Sequence, residues 1–249
     1  ISLSFLAKDS SLSSVDFITS IIFLNSPAFL AFVTVNIFFS ALSIISLVAA
    51  TIIGIIVGLV NTSKSKSVIM KILKAIVNLY IYIIRGTPML VQILIIYFGL
   101  GQMLRPTGFR WLNIGGTFTA GTVALSLNAG AYMAEIVRGG IEAVDKGQIE
   151  AARSLGLTYG KTMKKIVLPQ ALRTMLPSII NQFIISIKDT SLLSVIGLTE
   201  LTNVGKTIAA TKSAHMMVIY CFMACYYLFI CTVLAQVSKV VEKRLSYGK

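Results

Sequence analysis

From Ala28 to Val60 the chain is almost unbroken in apolar, Ser and Thr residues. At about 1.5 Å per residue, a helix of that length crosses the roughly 30 Å hydrocarbon layer of a bilayer with length to spare. The rest of the chain agrees. Of its 249 residues 56% are apolar and 12% charged, and the mean hydropathy is +0.86, beyond the balance of a soluble domain. An all-α polytopic membrane protein is the class these features define.

The remaining spans follow from where apolar runs are interrupted. Residues 15–24 are apolar but too short to cross, and read as an interfacial segment within an N-terminal stretch of residues 1–27. After the lysine-bearing loop 61–66, Lys71, Lys74, Asn78, Tyr82 and Arg85 recur at helical spacing opposite an apolar face, the pattern of an amphipathic helix at a membrane surface. Arg85-Gly86-Thr87-Pro88 then predicts a kink, because proline lacks a donor and disfavours helix at the residue before it. A second span runs to about Leu104. Residues 105–117, with Pro106, Trp111 and several glycines, read as an outer loop. Further spans are predicted over 118–136, 176–196 and 214–237, with Gly197 and Gly205 in the loop before the last.

The net charge of +13 is large, but the Lys and Arg lie between apolar runs rather than along a polar face, so nucleic acid is not the partner it implies. The longest polar stretch, 138–173, holds seven Lys or Arg against Glu142, Asp145 and Glu150. Placing it, the 61–66 loop and the basic tail 242–249 in the cytoplasm requires five spans within a permease domain of residues 28–241 and an N-terminus outside. Sixteen of the 22 basic residues then lie inside, counting Lys71, Lys74, Arg85 and Lys239 with these segments, as the positive-inside rule asks. The chain opens on Ile1 rather than Met, which leaves room upstream for a signal, a leader or an extracytoplasmic domain.

Cys221, Cys225 and Cys231 share one apolar run and His215 has no ligand partner at metal-binding spacing, so no metal site is expected. The methionines form no spaced stripe and read as packing. No GxxxxGK[ST] phosphate loop occurs, and no catalytic constellation surrounds the single His. Neither a nucleotide site nor an enzyme is therefore expected in this chain.

Residues 147–177, GQIEAARSLGLTYGKTMKKIVLPQALRTMLP, carry the most information. Gln148–Leu155 is a run of good helix formers, Gly156 is placed to end it in a left-handed cap, and Thr158 can cap a second helix, which Pro169 is expected to interrupt. A compact element with small residues at Ala151, Ala152 and Gly156 suits docking into a partner's groove. Glu150-Ala151-Ala152, Gly156 after three residues, and Ile166-Val167-Leu168-Pro169 after nine more match the EAA motif of ATP-binding-cassette importer permeases without a gap. RGTP (85–88), LNAGAYMAEIVRGGI (127–141) and IKDTSLLSVI (187–196) further resemble the polar amino-acid subfamily, the histidine, glutamine and arginine permeases.

The resemblance spans roughly residues 30–240. It implies the five-helix, MetI-like core of a type I importer, paired with a second copy or a sister permease. It also implies an ATP-hydrolysing subunit that holds ATP and Mg²⁺ and receives the EAA loop, with Glu150, Ala151, Ala152, Leu155 and Gly156 as coupling residues. An extracytoplasmic amino-acid-binding protein or fused domain would deliver substrate, and the bacterial cytoplasmic membrane is the expected location.

Candidate pathway residues come from intramembrane polarity. Lys188 and Asp189 fall inside the fourth predicted span, where an ionisable group is costly unless paired or facing an aqueous cavity. Adjacent helical residues point about 100° apart, so the two cannot readily neutralise each other. With Thr190 and Ser191 they suit a zwitterionic amino acid. Asn128, Tyr132 and Glu135, at i, i+4 and i+7, form one polar stripe that faces either a cavity or a neighbouring helix. Arg85 either pairs with Glu135 or a substrate carboxylate, or snorkels to the interface. A gradient-driven transporter using Lys188, Asp189 and Glu135 is the competing class, but it leaves the EAA loop unexplained.

Overall fold

A computed structural model describes residues 27–63, 65, 67–211 and 216–246. The interfacial segment 15–24, His215 and the last three residues of the tail lie outside the described residues. Among the described residues eight α-helical elements follow one another, two short 3-10 turns (Arg105–Thr107 and Trp111–Ile114) join the third to the fourth, and no strand occurs. The eight are α1 (Pro27–Thr62), α2 (Val68–Gly86), α3 (Met89–Met103), α4 (Gly116–Glu142), α5 (Lys146–Ser154), α6 (Tyr159–Ile196), α7 (Leu201–Thr211) and α8 (Met216–Ser246).

The bundle is built around α4, which packs most extensively along α1 and also touches α2, α3 and α6. Small residues make this possible. A Cβ on Gly54 would collide with Met133, and one on Gly58 would stand 2.7 Å from Val137 Cβ, so these glycines let two backbones approach as closely as membrane helices do when no solvent drives them together. Ala120, Ala124, Ala129, Ala131 and Ala134 on α4 are buried in the same packing.

Among the described residues three helices are long and apolar enough to cross a membrane: Ala41–Thr62 within α1, α6, and Met216–Arg244 within α8; the pair α2–α3, bent by 112°, adds a fourth if it is taken as one span. The central α4 is not apolar enough for that test, because it faces protein and spends its positions on Gly, Ala, Ser and Asn. Its 27 residues nevertheless extend about 40 Å, enough to complete the five-helix core. The lipid-facing candidates are the exposed large apolar residues of α1 and α8, among them Ile44, Ile55, Val218, Phe222 and Leu228.

The predicted kink is present. Thr87 is extended (φ −122°, ψ 147°) ahead of Pro88, and α2 and α3 meet at 112°. Two expectations are corrected. Pro169 does not interrupt its helix: α6 runs unbroken from Tyr159 to Ile196, so the expected span 176–196 is the latter part of a longer helix. The reason is a π-helical turn, Met163–Val167, whose wider ladder accommodates the donor that Pro169 lacks. The stretch between Gly197 and Ala214 is not only loop. It contains α7, with Gly205 buried inside it against Met223.

Candidate functional site

At one end of the bundle, α5 stands between α4 and α6. Asp145 opens it by accepting the Gly147 N–H at 2.5 Å. Its close is a Schellman turn: Gly156 N–H donates to the Arg153 carbonyl (3.0 Å) and Leu157 N–H to the Ala152 carbonyl (3.1 Å). Gly156 has φ +80°, a conformation a Cβ disfavours. Thr158 then caps α6, its Oγ1 accepting the Lys161 N–H at 3.5 Å. Ala152 is buried and Ile149 packs on a cluster of Val137, Ile141, Val144, Val167, Ala171 and Met175. That anchorage turns Glu150, Ala151 and Gly156 outward and leaves Leu155, 83% exposed, at the tip. A short helix capped at both ends thus presents an apolar side chain beside small residues, while its inner face packs on α6 and on the apolar cluster that α4 and α6 share.

Beyond this foot lies a cavity of about 540 Å³ between α4, α6 and the end of α8. Arg85, Tyr132 and Glu135 line it, together with Asn181, Gln182 and Glu242, so three sequence candidates meet there. Arg85 Nη1 is 3.1 Å from Glu135 Oε2, and its guanidinium stands 5.4 Å from the centre of the Tyr132 ring, a cation–π arrangement. Arg138 grips Glu135 through Nε and Nη2, each at 3.0 Å, and reaches Glu142 at 2.6 Å. Glu135 is shared by two arginines, one on its own helix and one across the bundle.

The other candidates lie elsewhere. Asn128 is buried and donates Nδ2–H to Gln92 Oε1 at 2.9 Å, so this part of the stripe joins helices instead of lining the cavity. Gln92 in turn donates to the Ile84 carbonyl (2.7 Å), the Thr87 carbonyl (3.0 Å) and Thr87 Oγ1 (2.8 Å). It satisfies backbone carbonyls that the kink releases. The Lys188–Ser191 turn, where α6 passes into a 3-10 helix over Thr190–Ile196, is separate from the cavity. Lys188 is exposed, Asp189 half-buried, and among the described residues no ion pair joins them. Thr190 is buried and donates to the Ile187 carbonyl at 2.6 Å, while Ser191 donates to the Lys188 carbonyl at 2.7 Å. These hydroxyls shape the turn, leaving Lys188 and Asp189 as its outward groups. One turn earlier, buried Ser186 Oγ has no hydrogen-bond partner.

Gln92, Arg138, Asn181, Gln182 and Glu200 were not reached from sequence. A signal existed for two of them: Arg138 sits three residues after Glu135, and Glu200 is a lone acid near the end of a span. Among the described residues no group of His, Cys, Asp and Glu could hold a metal ion.

A five-helix bundle with a short, doubly capped helix at one end is the architecture of a type I importer's transmembrane subunit. The chain belongs to the family of binding-protein-dependent transport system inner membrane components, whose pattern matches residues 50–247. It is 40% identical over 204 residues to the glutamine transport system permease protein GlnP of Escherichia coli (strain K12), covering 82% of this chain and 88% of that one. It is 38% identical over 202 residues to the arginine transport system permease protein ArtQ of Bacillus subtilis (strain 168), covering 81% and 86%. Among solved structures it resembles a chain of an amino acid ABC transporter crystallised with histidines, with a TM-score of 0.79 and 33% identity over 93% of this chain and 99% of that one. The MetNI methionine transporter in an inward-facing conformation shares the fold, with a TM-score of 0.67 and 19% identity over 87% and 98%.

Proposed function

We propose that this chain moves a polar amino acid into a bacterial cell as the permease of an ATP-binding-cassette importer, by alternating access. The observation that carries the reading is the α5 element. Its Glu150-Ala151-Ala152 and Gly156 match the EAA motif, it is capped at both ends, and its inner face packs on α6 and on the apolar cluster shared with α4, so a push on Leu155 reaches both helices. ATP and Mg²⁺ belong to a separate ATPase subunit. A second permease copy or sister permease completes the path, and an extracytoplasmic binding protein or fused domain loads it. Closure of the ATPases draws the two α5 elements together and opens the path outward; loss of the hydrolysis products reverses it. The amino-acid class is supported by the glutamine, arginine and L-cystine permeases it resembles, by the amino acid transporter crystallised with histidines, and by the zwitterion-compatible Lys188 and Asp189. The N-terminus lies outside and the C-terminus in the cytoplasm, as the basic loops require.

The test is uptake by proteoliposomes containing the assembled transporter and its binding protein. Accumulation of labelled L-glutamine, L-arginine, L-histidine or L-cystine that requires internal ATP supports the reading. Uptake driven by an ion gradient without ATP overturns it in favour of a secondary transporter.

A further inference from the structure

The cavity between α4, α6 and the end of α8 is lined by polar groups that the protein itself does not pair. Gln182 is 5% exposed and lines the cavity, yet among the described residues its carboxamide has no hydrogen-bond partner. Burial without a partner leaves the lost hydration of an amide uncompensated. Ser178 and Asn181, on the same face of α6, line the cavity beside it. One turn further on, buried Ser186 Oγ is also without a partner, so this face stays polar toward the Lys188–Ser191 turn.

The charges around Gln182 suit a zwitterion. Arg85 gives one N–H to Glu135, and among the described residues the rest of its donor fork is unused. Glu135 does not depend on that bond, because Arg138 holds both of its oxygens: Nε donates to Oε1 and Nη2 to Oε2, each at 3.0 Å. Arg85 can therefore turn to an incoming carboxylate without leaving Glu135 unpaired. Glu242, on the α8 wall, makes no ion pair among the described residues and is open to an ammonium group. No acid then remains for a cationic side chain. A carboxamide such as that of Gln182 both donates and accepts, and its full complement is another carboxamide; a guanidinium only donates and a carboxylate only accepts.

We propose that this cavity is an amino-acid subsite between the α5 foot and the Lys188–Ser191 turn. In it Arg85 binds the α-carboxylate, Glu242 the ammonium group, and Gln182 selects a side chain that ends in a carboxamide. The proposal rests on the reading of the chain as an amino-acid permease.

The test is equilibrium binding of labelled amino acids to the purified permease–ATPase complex without its binding protein, so that only sites on the membrane complex are read. The wild type should bind L-glutamine about tenfold more tightly than L-arginine or L-glutamate, the scale of one hydrogen bond. Gln182→Glu should weaken L-glutamine and strengthen L-arginine, reversing their order. Gln182→Leu, which brings no charge into a buried position, should bind the two alike. Arg85→Gln should weaken L-glutamine about tenfold and leave γ-aminobutyramide, which lacks the α-carboxylate, at its wild-type affinity. An unchanged order in both Gln182 variants, or a wild type that prefers L-arginine or L-glutamate, overturns the selecting role. Equal losses of L-glutamine and γ-aminobutyramide in Arg85→Gln overturn the carboxylate assignment. No binding by a wild-type complex that still takes up an amino acid with ATP in proteoliposomes overturns the subsite. Absence of ATP-driven uptake by the wild type overturns the functional reading on which the subsite rests.

Discussion

Gly54 and Gly58 set how near α1 comes to α4, and their importance is a matter of volume. Gly58→Leu should cost about 1–3 kcal/mol through overpacking, read as a lowered melting temperature of the detergent-solubilised protein. Gly139, also on α4, has nothing within 4 Å of a built Cβ. Gly139→Ala should therefore be neutral or stabilise by about 0.5–1 kcal/mol. Equal destabilisation by both would show that the close approach of α1 and α4 is wrong. Gln92 is the other residue on which local structure depends. Gln92→Leu leaves the Ile84 and Thr87 carbonyls and the Asn128 amide without their partner, each costing on the order of 1–3 kcal/mol if no water enters. The melting temperature should fall well below that of Asn128→Ala, which leaves only Gln92 Oε1 without its donor. The Arg85–Glu135 pair should matter less to stability. Arg85 is 43% exposed, and a double-mutant cycle on such a pair should return less than about 1 kcal/mol.

At the scale of elements, what could be read in the sequence was what is decided locally. Gly156 as a left-handed stop and Thr158 as the next cap follow from residue chemistry within a few positions, and both are found. The Gly86-Thr87-Pro88 kink follows for the same reason. The effect of Pro169 is not legible locally, because it depends on the turn before it, a π turn that no compositional signal announces. The candidate path divided along the same line. Arg85, Tyr132 and Glu135 do share a cavity, as helical spacing and charge suggested. Asn128 instead joins Gln92, which is 36 residues away, and Thr190 turns inward. Only tertiary packing decides such pairings. The α5 element makes its own prediction. Leu155→Asp should leave the melting temperature of the isolated permease unchanged, because the side chain is exposed, and should abolish substrate-stimulated ATPase in the complex. Gly156→Ala should destabilise α5 by about 1–2 kcal/mol, the strain of a left-handed Cβ.

Taken whole, the molecule changes the kind of contact it makes along α4. Polar and aromatic contacts of Tyr80, Arg85 and Gln92 bind α2 and α3 to α4: the Tyr80 hydroxyl donates to the Leu127 carbonyl at 2.5 Å, alongside Arg85–Glu135 and Gln92–Asn128. Around α5 the contact between α4 and α6 is apolar instead, through Val137, Ile141, Val167 and Met175. The cavity opens where that apolar foot ends. Force applied to α5 therefore enters through contacts without directional bonds, which slide more readily than hydrogen-bonded ones. The central claim is that an ATPase supplies that force at Leu155. Its most direct measurement is purification of the tagged protein from its native membranes, wild type beside Leu155→Asp, with the bound chains identified. The account predicts a soluble ATP-binding subunit with the wild type, lost from a variant that remains folded and membrane-inserted; recovery of that subunit equally with both, or with neither, would contradict it.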